Sequence, residues 1–408
     1  LVPDGHPSKG NLVVRYRGRG SAGAGARKPI LLLAHLDVVA ANRSDWPHDP
    51  FELREENGFF LGRGVADDKA MAAIFVANML RWKQEGWVPD RDVVLALTAD
   101  EEGGPANGVE FLLARHRDLI DAQYTINEGG GGTLTPEGRP LRHTIQAAEK
   151  VYTDFTLTAT NPGGHSSVPR PDNAIYSLAR ALDRISQHRF PVAINEVTRP
   201  FFARSAAVEP RPEMAAAMRA IAANPADTGA AATLSRDPMF ASMLRTSCVA
   251  TLLDGGHATN ALPQTAQANV NCRIVPTSTL EETMATLQRV VGDSVQVTVR
   301  AGTVAGRERF GVAPTPIDPQ VLSTVQTLTQ RMWGDIPVIP TMSTGATDGR
   351  FLRAAGIPVY GVSGIFSVPA ETNAHGRDEK LRVKSFYEGL SFLDQLVRQL
   401  ATSRATRS

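Results

Sequence analysis

Two continuous apolar runs, at residues 30–34 and 93–98, have the length and uniformity of strands covered on both faces, and residues 124–126 make a short third. Between them, residues 70–82 and 109–115 carry apolar side chains at helical spacing. Strands alternating with helices predict a mixed, mostly parallel sheet between helices, an α/β fold. Near Glu149 the period changes. Residues 151–160 (VYTDFTLTAT) alternate apolar and polar with period two, the pattern of an antiparallel strand wet on one face. A helix at 173–187, strands at 247–253 and 265–275, a helix at 280–291 and a strand at 295–300 complete a βαββαβ order, a small α+β sheet with helices on one face. The Ala/Pro-rich residues 200–244 read as a helical insertion, and the Gly/Pro-bearing residues 301–316 as a return linker. From residue 317 the first texture resumes: a helix to 332, a strand at 337–340, a helix at 348–354, a strand at 358–362 and a last helix at 383–401. The predicted organisation is a larger α/β domain from residues 1–147 and 306–408, interrupted by an inserted α+β domain at 148–305.

Composition bounds the function. The 408 residues exceed the usual single-core limit of about 250–300, in keeping with two domains. Lys plus Arg number 43 against 42 Asp plus Glu, so the +1 net charge gives no electrostatic reason to expect nucleic acid or an anionic membrane. No apolar run approaches the roughly 18 residues of a membrane span. Two cysteines make neither a disulfide framework nor a zinc cluster. Cys248 and Cys272 lie symmetrically about Asn260, so a hairpin there would set them opposite; two buried thiols are expected rather than a disulfide. The chain opens Leu1-Val2-Pro3 without a methionine. A removed export signal fits, and so does a chain trimmed at its start for another reason; a periplasmic or secreted protein is slightly favoured over a cytoplasmic one.

Five acid- and histidine-bearing stretches change the picture: Ala34-His35-Leu36-Asp37, Gly64-Val65-Ala66-Asp67-Asp68-Lys69, Asp100-Glu101-Glu102-Gly103, Asn127-Glu128-Gly129-Gly130 and Asn373-Ala374-His375-Gly376. Together they supply two imidazoles, a middle aspartate and three glutamates, the inventory that two cations sharing one carboxylate require. His35 and Asp37 stand two apart and so share one face of a strand end, which suits a ligand and the carboxylate orienting it; the plainer reading is a histidine capping a buried strand. Asp67 opens a helix in a glycine-flanked turn, where backbone N–H groups can satisfy its free oxygens; an ordinary N-cap fits equally well. Three successive acids at 100–102 repel one another unless cations or water relieve them. Adjacent glutamates allow one to bind metal and the other to take a proton from water. Glu128 and His375 read either as ligands or as solvated loop residues.

These blocks resemble those of the co-catalytic zinc metallopeptidase family that includes aminoacylase, glutamate carboxypeptidase, carboxypeptidase S, carnosinase, acetylornithine deacetylase and succinyl-diaminopimelate desuccinylase. Residues 62–69 and 100–103 are most similar to the carboxypeptidase S and carnosinase branches. The resemblance implies two Zn²⁺ per chain, with Co²⁺ or Mn²⁺ as substitutes. It implies Asp67 as the bridge, joined to Asp68 by a cis peptide, with His35 and Glu128 on one metal and Glu102 and His375 on the other. Glu101 becomes the general base acting on a metal-activated water, and Asp37 the partner of His35. The inserted domain becomes a lid and dimerisation domain. There Gly163-Gly164-His165-Ser166-Ser167 resembles the lid histidine that donates to an oxyanion in a dimer partner's site. Asn260 resembles a substrate-contacting asparagine and Arg273 a carboxylate-binding arginine, the two expected to converge at one strand end. Arg350, in Gly345-Ala346-Thr347-Asp348-Gly349-Arg350, is a further substrate candidate. The expected activity is hydrolysis of an amide beside a free carboxylate, in a small peptide or an N-acyl amino acid, by a homodimer joined through the lid. A carnosinase-type dipeptidase is the alternative within the enzymes, and an inactive metal-bearing peptide-binding protein the alternative outside them. His35 comes earlier than the family's first histidine usually does, and the 200–244 insertion is longer than in the compact members.

Overall fold

The computed structural model describes residues 1–20, 27–300 and 312–402, and the chain divides into two compact units. One comprises Leu1–Ala147, Thr315–Thr341 and Thr347–Ser408, and the other Ala148–Pro314 with Met342–Ala346. Most of the expected return linker, residues 301–311, lies outside the described residues.

The first unit is built on a nine-stranded mixed sheet. Its centre is parallel: Val93–Thr98, Ile30–His35, Tyr124–Asn127 and Val359–Gly361 lie side by side in that order. Antiparallel strands flank it, Leu12–Tyr16 on one edge and Pro140–Glu149 beyond Val359–Gly361 on the other. The run of apolar residues in Ile30–His35 follows from burial on both faces. Ile30, Leu32 and Ala34 pack with Phe75, Trp82, Phe392 and Leu396, whereas Leu31 and Leu33 pack with Val109, Leu112 and Leu352. Strand alternation thus feeds two cores, one beneath the helices Lys69–Gln84, Pro319–Trp333 and Val383–Ala401, the other beneath Gly108–Arg115 and Gly349–Ala354. Parallel pairing brings the carboxyl ends of the four central strands to one side, with His35 opposite Thr98 and Asn127 opposite Gly361. Open α/β sheets place their ligands at such ends.

The second unit holds a four-stranded antiparallel sheet in the order Ser247–Gly255, Thr265–Ile274, Val151–Thr160, Gln296–Val299. The period-two pattern holds except at Asp154, which is buried: Thr153, Phe155, Leu157 and Ala159 are buried, while Tyr152, Thr156 and Thr158 are half-buried. The helices Ala174–Gln187, capped by Asn173, and Leu280–Val291, opened by a Thr279–Glu282 capping box, pack on the sheet. The Ala/Pro-rich insertion folds as four short helices, Thr198–Ser205, Pro212–Ala223, Thr228–Leu234 and Pro238–Leu244. Cys248 faces Cys272 across the first two strands, as their symmetry about Asn260 implied. The two are bonded, which corrects the expectation of free thiols: an antiparallel pair directly opposite brings the sulfurs within bonding reach.

Candidate metal centre

His35, Glu101, Glu102 and Glu128 sit where buried strands give way to turns, whereas Asp67 lies in the turn before the helix Lys69–Gln84 and His375 in a loop. His35 ends its strand and is itself buried. Its Nδ1 lies 3.0 Å from the main-chain oxygen of Asp37, with that residue's carboxylate at 3.7 Å. Nε2 points at Asp67 Oδ1 3.0 Å away, with Glu128 Oε1 at 3.9 Å; protonated, it donates to Asp67, and deprotonated, with Nδ1 donating, it would offer its lone pair to a cation. Asp37 does more than orient an imidazole. Its two carboxylate oxygens accept the backbone N–H groups of Glu101 (3.2 Å) and Glu102 (3.0 Å), fixing the acidic turn.

That turn follows the strand Val93–Thr98 through Asp100, whose φ of 61° is left-handed, a conformation Asp tolerates better than most residues. The reversal separates the three acids. Asp100 turns away to an ion pair with Lys9 and to the N–H of Ala106, while Glu101 and Glu102 face the cluster.

Asp67 precedes a cis peptide bond to Asp68 and presents both carboxylate oxygens inward. Oδ1 meets His35, and Oδ2 lies 3.0 Å from His375 Nε2, which also stands 3.1 Å from Glu102 Oε1. The turn N–H groups were expected to satisfy Asp67, and here the structure corrects the sequence reading. The N–H groups of Gly64 (3.0 Å), Ala66 (2.9 Å) and Asp67 (3.2 Å) donate to Glu379, a buried carboxylate that also takes Arg63 Nη1 at 2.7 Å. Arg63 Nη2 in turn donates to the carbonyls of His375 and Gly376. One arginine–glutamate pair thereby ties the Asp67 loop to the His375 loop, with Gly64 at φ +83° where a Cβ would strike Val38.

Glu128 leaves the strand Tyr124–Asn127 and enters the glycine run. A Cβ on Gly130 would lie 2.0 Å from the Gly361 carbonyl, so the run is a close backbone crossing that holds Glu128 in place. Asp348 was not singled out in the sequence. It accepts from Asn107 Nδ2 (2.6 Å) and Thr98 Oγ1 (3.3 Å) behind the acidic turn.

The cluster is anion-rich. Burial, then Asp348, pushes Glu101 up to about 9. Burial also raises Glu102, Glu128 and Asp68, each with a neighbouring carboxylate adding to it. Burial opposes ionisation of Asp67 too, but the hydrogen bond and charge of His35, with those of His375, outweigh it and hold the carboxyl low. Ligand atoms of His35, Glu101 and Glu128 lie within 4.8 Å of one another, and so do those of His35, Asp67 and Glu102. Two imidazoles cannot neutralise so many acids, and a nitrogen-and-oxygen donor set around a shared aspartate fits divalent cations.

Of the other candidates, Arg350 lies in this unit, its guanidinium over the Phe351 ring and near Asp348 and Glu110. His165, Asn260 and Arg273 lie in the second unit. Gly164–His165 pairs with Ala261–Leu262, and Ser166 donates to the Asn260 carbonyl, so His165 and Asn260 are neighbours. Arg273 does not join them, contrary to the expected convergence. It sits opposite Ser247, at the far end of the ladder from the Gly255–Ala266 pair, roughly seven strand residues or about 23 Å away. Its guanidinium lies 4.7 Å from the Tyr152 ring centroid.

Comparison with known proteins agrees with the geometry. The family model described as Peptidase family M20/M25/M40 matches residues 31–399. The human N-fatty-acyl-amino acid synthase/hydrolase is 26% identical over 386 residues, covering 92% of this chain and 75% of that protein. A probable carboxypeptidase S-like protein of Dictyostelium discoideum is 26% identical over 384 residues, covering 91% of this chain and 71% of its own length. In fold, the M20 family metallo-carboxypeptidase from Sulfolobus solfataricus superposes with a TM-score of 0.66 at 18% identity, over 97% of this chain and 88% of that one.

Proposed function

The chain belongs to peptidase family M20/M25/M40, a family of dinuclear metal peptidases, and we propose that within it this hydrolase cleaves an amide bond adjacent to a free carboxylate, in an N-acyl amino acid or at the carboxyl end of a short peptide. The observation that carries the reading is Asp67, whose two oxygens face His35 and His375 at 3.0 Å each while Glu101 and Glu102 stand alongside. In this reading His35 and Glu128 would hold one zinc, Glu102 and His375 the other, with Asp67 shared between them; cobalt or manganese would substitute. Bound there, the cations would supply Lewis acidity, acidifying a water and polarising the scissile carbonyl.

Glu101 takes the proton of the attacking water and returns it to the leaving amine nitrogen. Asp37 keeps Glu101 and Glu102 in register by holding their backbone N–H groups. His165 donates to the oxyanion, Asn260 beside it contacts substrate, and Arg350 takes the free carboxylate. A screen of N-acyl amino acids of graded acyl length against dipeptides, each beside its α-carboxamide analogue and with zinc, cobalt or manganese, tests this. Hydrolysis confined to free carboxylates is expected, and the better series assigns the chain to acylase or to dipeptidase chemistry. Equal cleavage of the carboxamides would remove the carboxylate requirement.

We also propose a homodimer joined through the second unit. The strand Ser247–Gly255 is a sheet edge with Leu252 and Leu253 exposed, a surface that invites pairing with another copy. Mixing inactive Glu101→Gln with inactive His165→Ala subunits should restore activity, up to about a quarter of sites at equal mixing and free exchange. No recovery despite demonstrated exchange would place His165 in its own chain's site or outside catalysis. The Cys248–Cys272 bond supports an oxidising compartment, periplasmic or secreted.

A further inference from the structure

The second unit contains a cavity of ≈ 580 Å³ between the end of helix Ala174–Gln187, the end of helix Pro238–Leu244 and the start of strand Ser247–Gly255. Its lining is two-sided. Ile185, Phe190 and Val249 supply apolar surface, and Arg189, Arg245 and His188 supply cationic or hydrogen-bonding groups. No aspartate or glutamate lines it. Arg189 reaches only the carbonyls of Ser186 (2.9 Å) and His188 (3.0 Å). Arg245 Nη2 makes a 3.3 Å contact with Ser235 Oγ, while its Nε and the Nε2 of His188 are buried without a protein partner. Directly behind, buried Lys150 donates to the Arg245 carbonyl at 2.7 Å and lies 3.3 Å from Ser247 Oγ. Among the described residues none of these three cations has a carboxylate within ion-pairing distance.

Burial and the Arg189 charge hold the Arg245 guanidinium below its ordinary value, and burial with Arg289 and Arg189 does the same to His188. Burial and Arg273 bring Lys150 to about 7. Positive charge gathered at the mouth of a concave, half-apolar site, with Arg245 partly buried beside exposed Arg189, makes a favourable place for an anion. Elsewhere in the unit the protein supplies its own counter-charges, as where Arg211 sits between Glu209 and Asp237. The disulfide anchors the strand that forms one wall, and the His188 ring packs edge-on to Phe190 at 4.8 Å, so the cavity has fixed sides.

We propose that this cavity is a binding site for a small organic carboxylate with an apolar tail, its head between Arg189 and Arg245 and its tail against Ile185, Phe190 and Val249. Volume and lining match small-molecule sites, which are mostly apolar with a few converging polar groups. Two guanidinium forks suit a carboxylate, and the apolar wall would be wasted on an inorganic ion. The proposal is independent of the hydrolytic reading, because every residue it uses lies in the second unit and none is assigned to catalysis.

Calorimetric titration of the metal-loaded full chain with octanoate tests it, with octan-1-ol and inorganic phosphate as comparators and with Arg189→Gln and Arg245→Gln variants. One saturable octanoate site is expected, weakened about tenfold or more by either substitution, with kcat/KM of both variants unchanged. Octan-1-ol should bind about tenfold more weakly or worse, having no charge to offer. Any octanoate at the metal centre is retained in both variants and is thereby separated. If Arg245→Gln does not fold, Arg189→Gln, at an exposed position, carries the comparison alone. Octanoate affinity equal in parent and variants would overturn the site. Phosphate binding as tightly as octanoate would overturn its ligand class, and absence of a saturable octanoate site would overturn both.

Discussion

Substituting Glu379 by Gln should loosen the metal centre without touching a predicted ligand. The carboxylate is fully buried and receives four donors: Arg63 Nη1 and the N–H groups of Gly64, Ala66 and Asp67. The Arg63 side chain is only 4% exposed and that of Glu379 1%. A carboxamide is isosteric but has one acceptor oxygen, so at least one backbone N–H or the guanidinium must face an NH₂ group. Removing one partner of a buried ion pair costs about 3–5 kcal/mol, chiefly by leaving the other charge uncompensated. That figure exceeds the roughly 1.5–3 kcal/mol of a single charge-assisted hydrogen bond, so the stranded Arg63 dominates. Because Arg63 also holds the His375 and Gly376 carbonyls, and Glu379 the N–H of Asp67, the loss propagates to two predicted ligands at once. A fall of about 10–100-fold in metal affinity follows from disturbing groups that orient ligands.

Competition with a chelator of known affinity reads the metal term, and denaturant unfolding of the metal-free chain reads the stability term. A double variant, Arg63→Met with Glu379→Gln, supplies the control. Its destabilisation should fall short of the sum of the two singles, since deleting both charges removes the uncompensated one. If Glu379→Gln held metal within threefold of the parent and unfolded within about 1 kcal/mol of it, the pair would not be organising the site.

Three further outcomes are expected. Glu101→Gln should abolish turnover, beyond the roughly 10²–10⁴-fold usual for one proton transfer, while both metals stay bound; activity within tenfold of the parent would disqualify Glu101 as the base. His143 is buried among Trp333, Phe366 and Phe392 with Nδ1 on Thr329, and burial lowers it to about 3. Its folded value lies below the ordinary 6.5. Its neutral form therefore costs nothing above that pH, and stability is lost as pH falls from there toward 3, by about 2 kcal/mol at pH 5. Unfolding free energies of parent and His143→Gln should therefore converge by that amount between pH 7.5 and 5, and a pH-independent gap would refute the assignment. Replacing Cys248 and Cys272 by Ala should cost about 3 kcal/mol given their separation of 24 residues, read as the loss of any effect of reductant on the unfolding midpoint; a reductant effect surviving in the variant would point to another cause.

The division between what could be read from the sequence and what could not follows a physical line. His35, the Glu101–Glu102 pair and Glu128 each lie within a few residues of an apolar strand, so local pattern reveals both the element and the group at its end. The last helix, Val383–Ala401, was legible for a similar reason, its apolar residues repeating at helical spacing. Glu379 was not. It acts on backbone N–H groups more than 300 residues away, and an N–H leaves no mark on a sequence. The one available signal was an acid four residues after His375, indistinguishable there from a solvated loop charge. Pro140–Glu149 was missed because a strand paired on both sides near a sheet edge need not alternate, and it buries His143 and Gln146 along with Ile145. The Leu12–Tyr16 edge was missed for the opposite reason, since half its apolar side chains are exposed and the run is short. Asn260 and Arg273 show the limit of counting residues. A spacing of thirteen suits a hairpin, but the turn absorbs residues 256–264 and the strand carries Arg273 to the opposite end of the ladder. Groups proposed to hold a metal are therefore visible as chemistry beside a strand, whereas groups that hold the ligands' loops become visible only when the chain closes on itself.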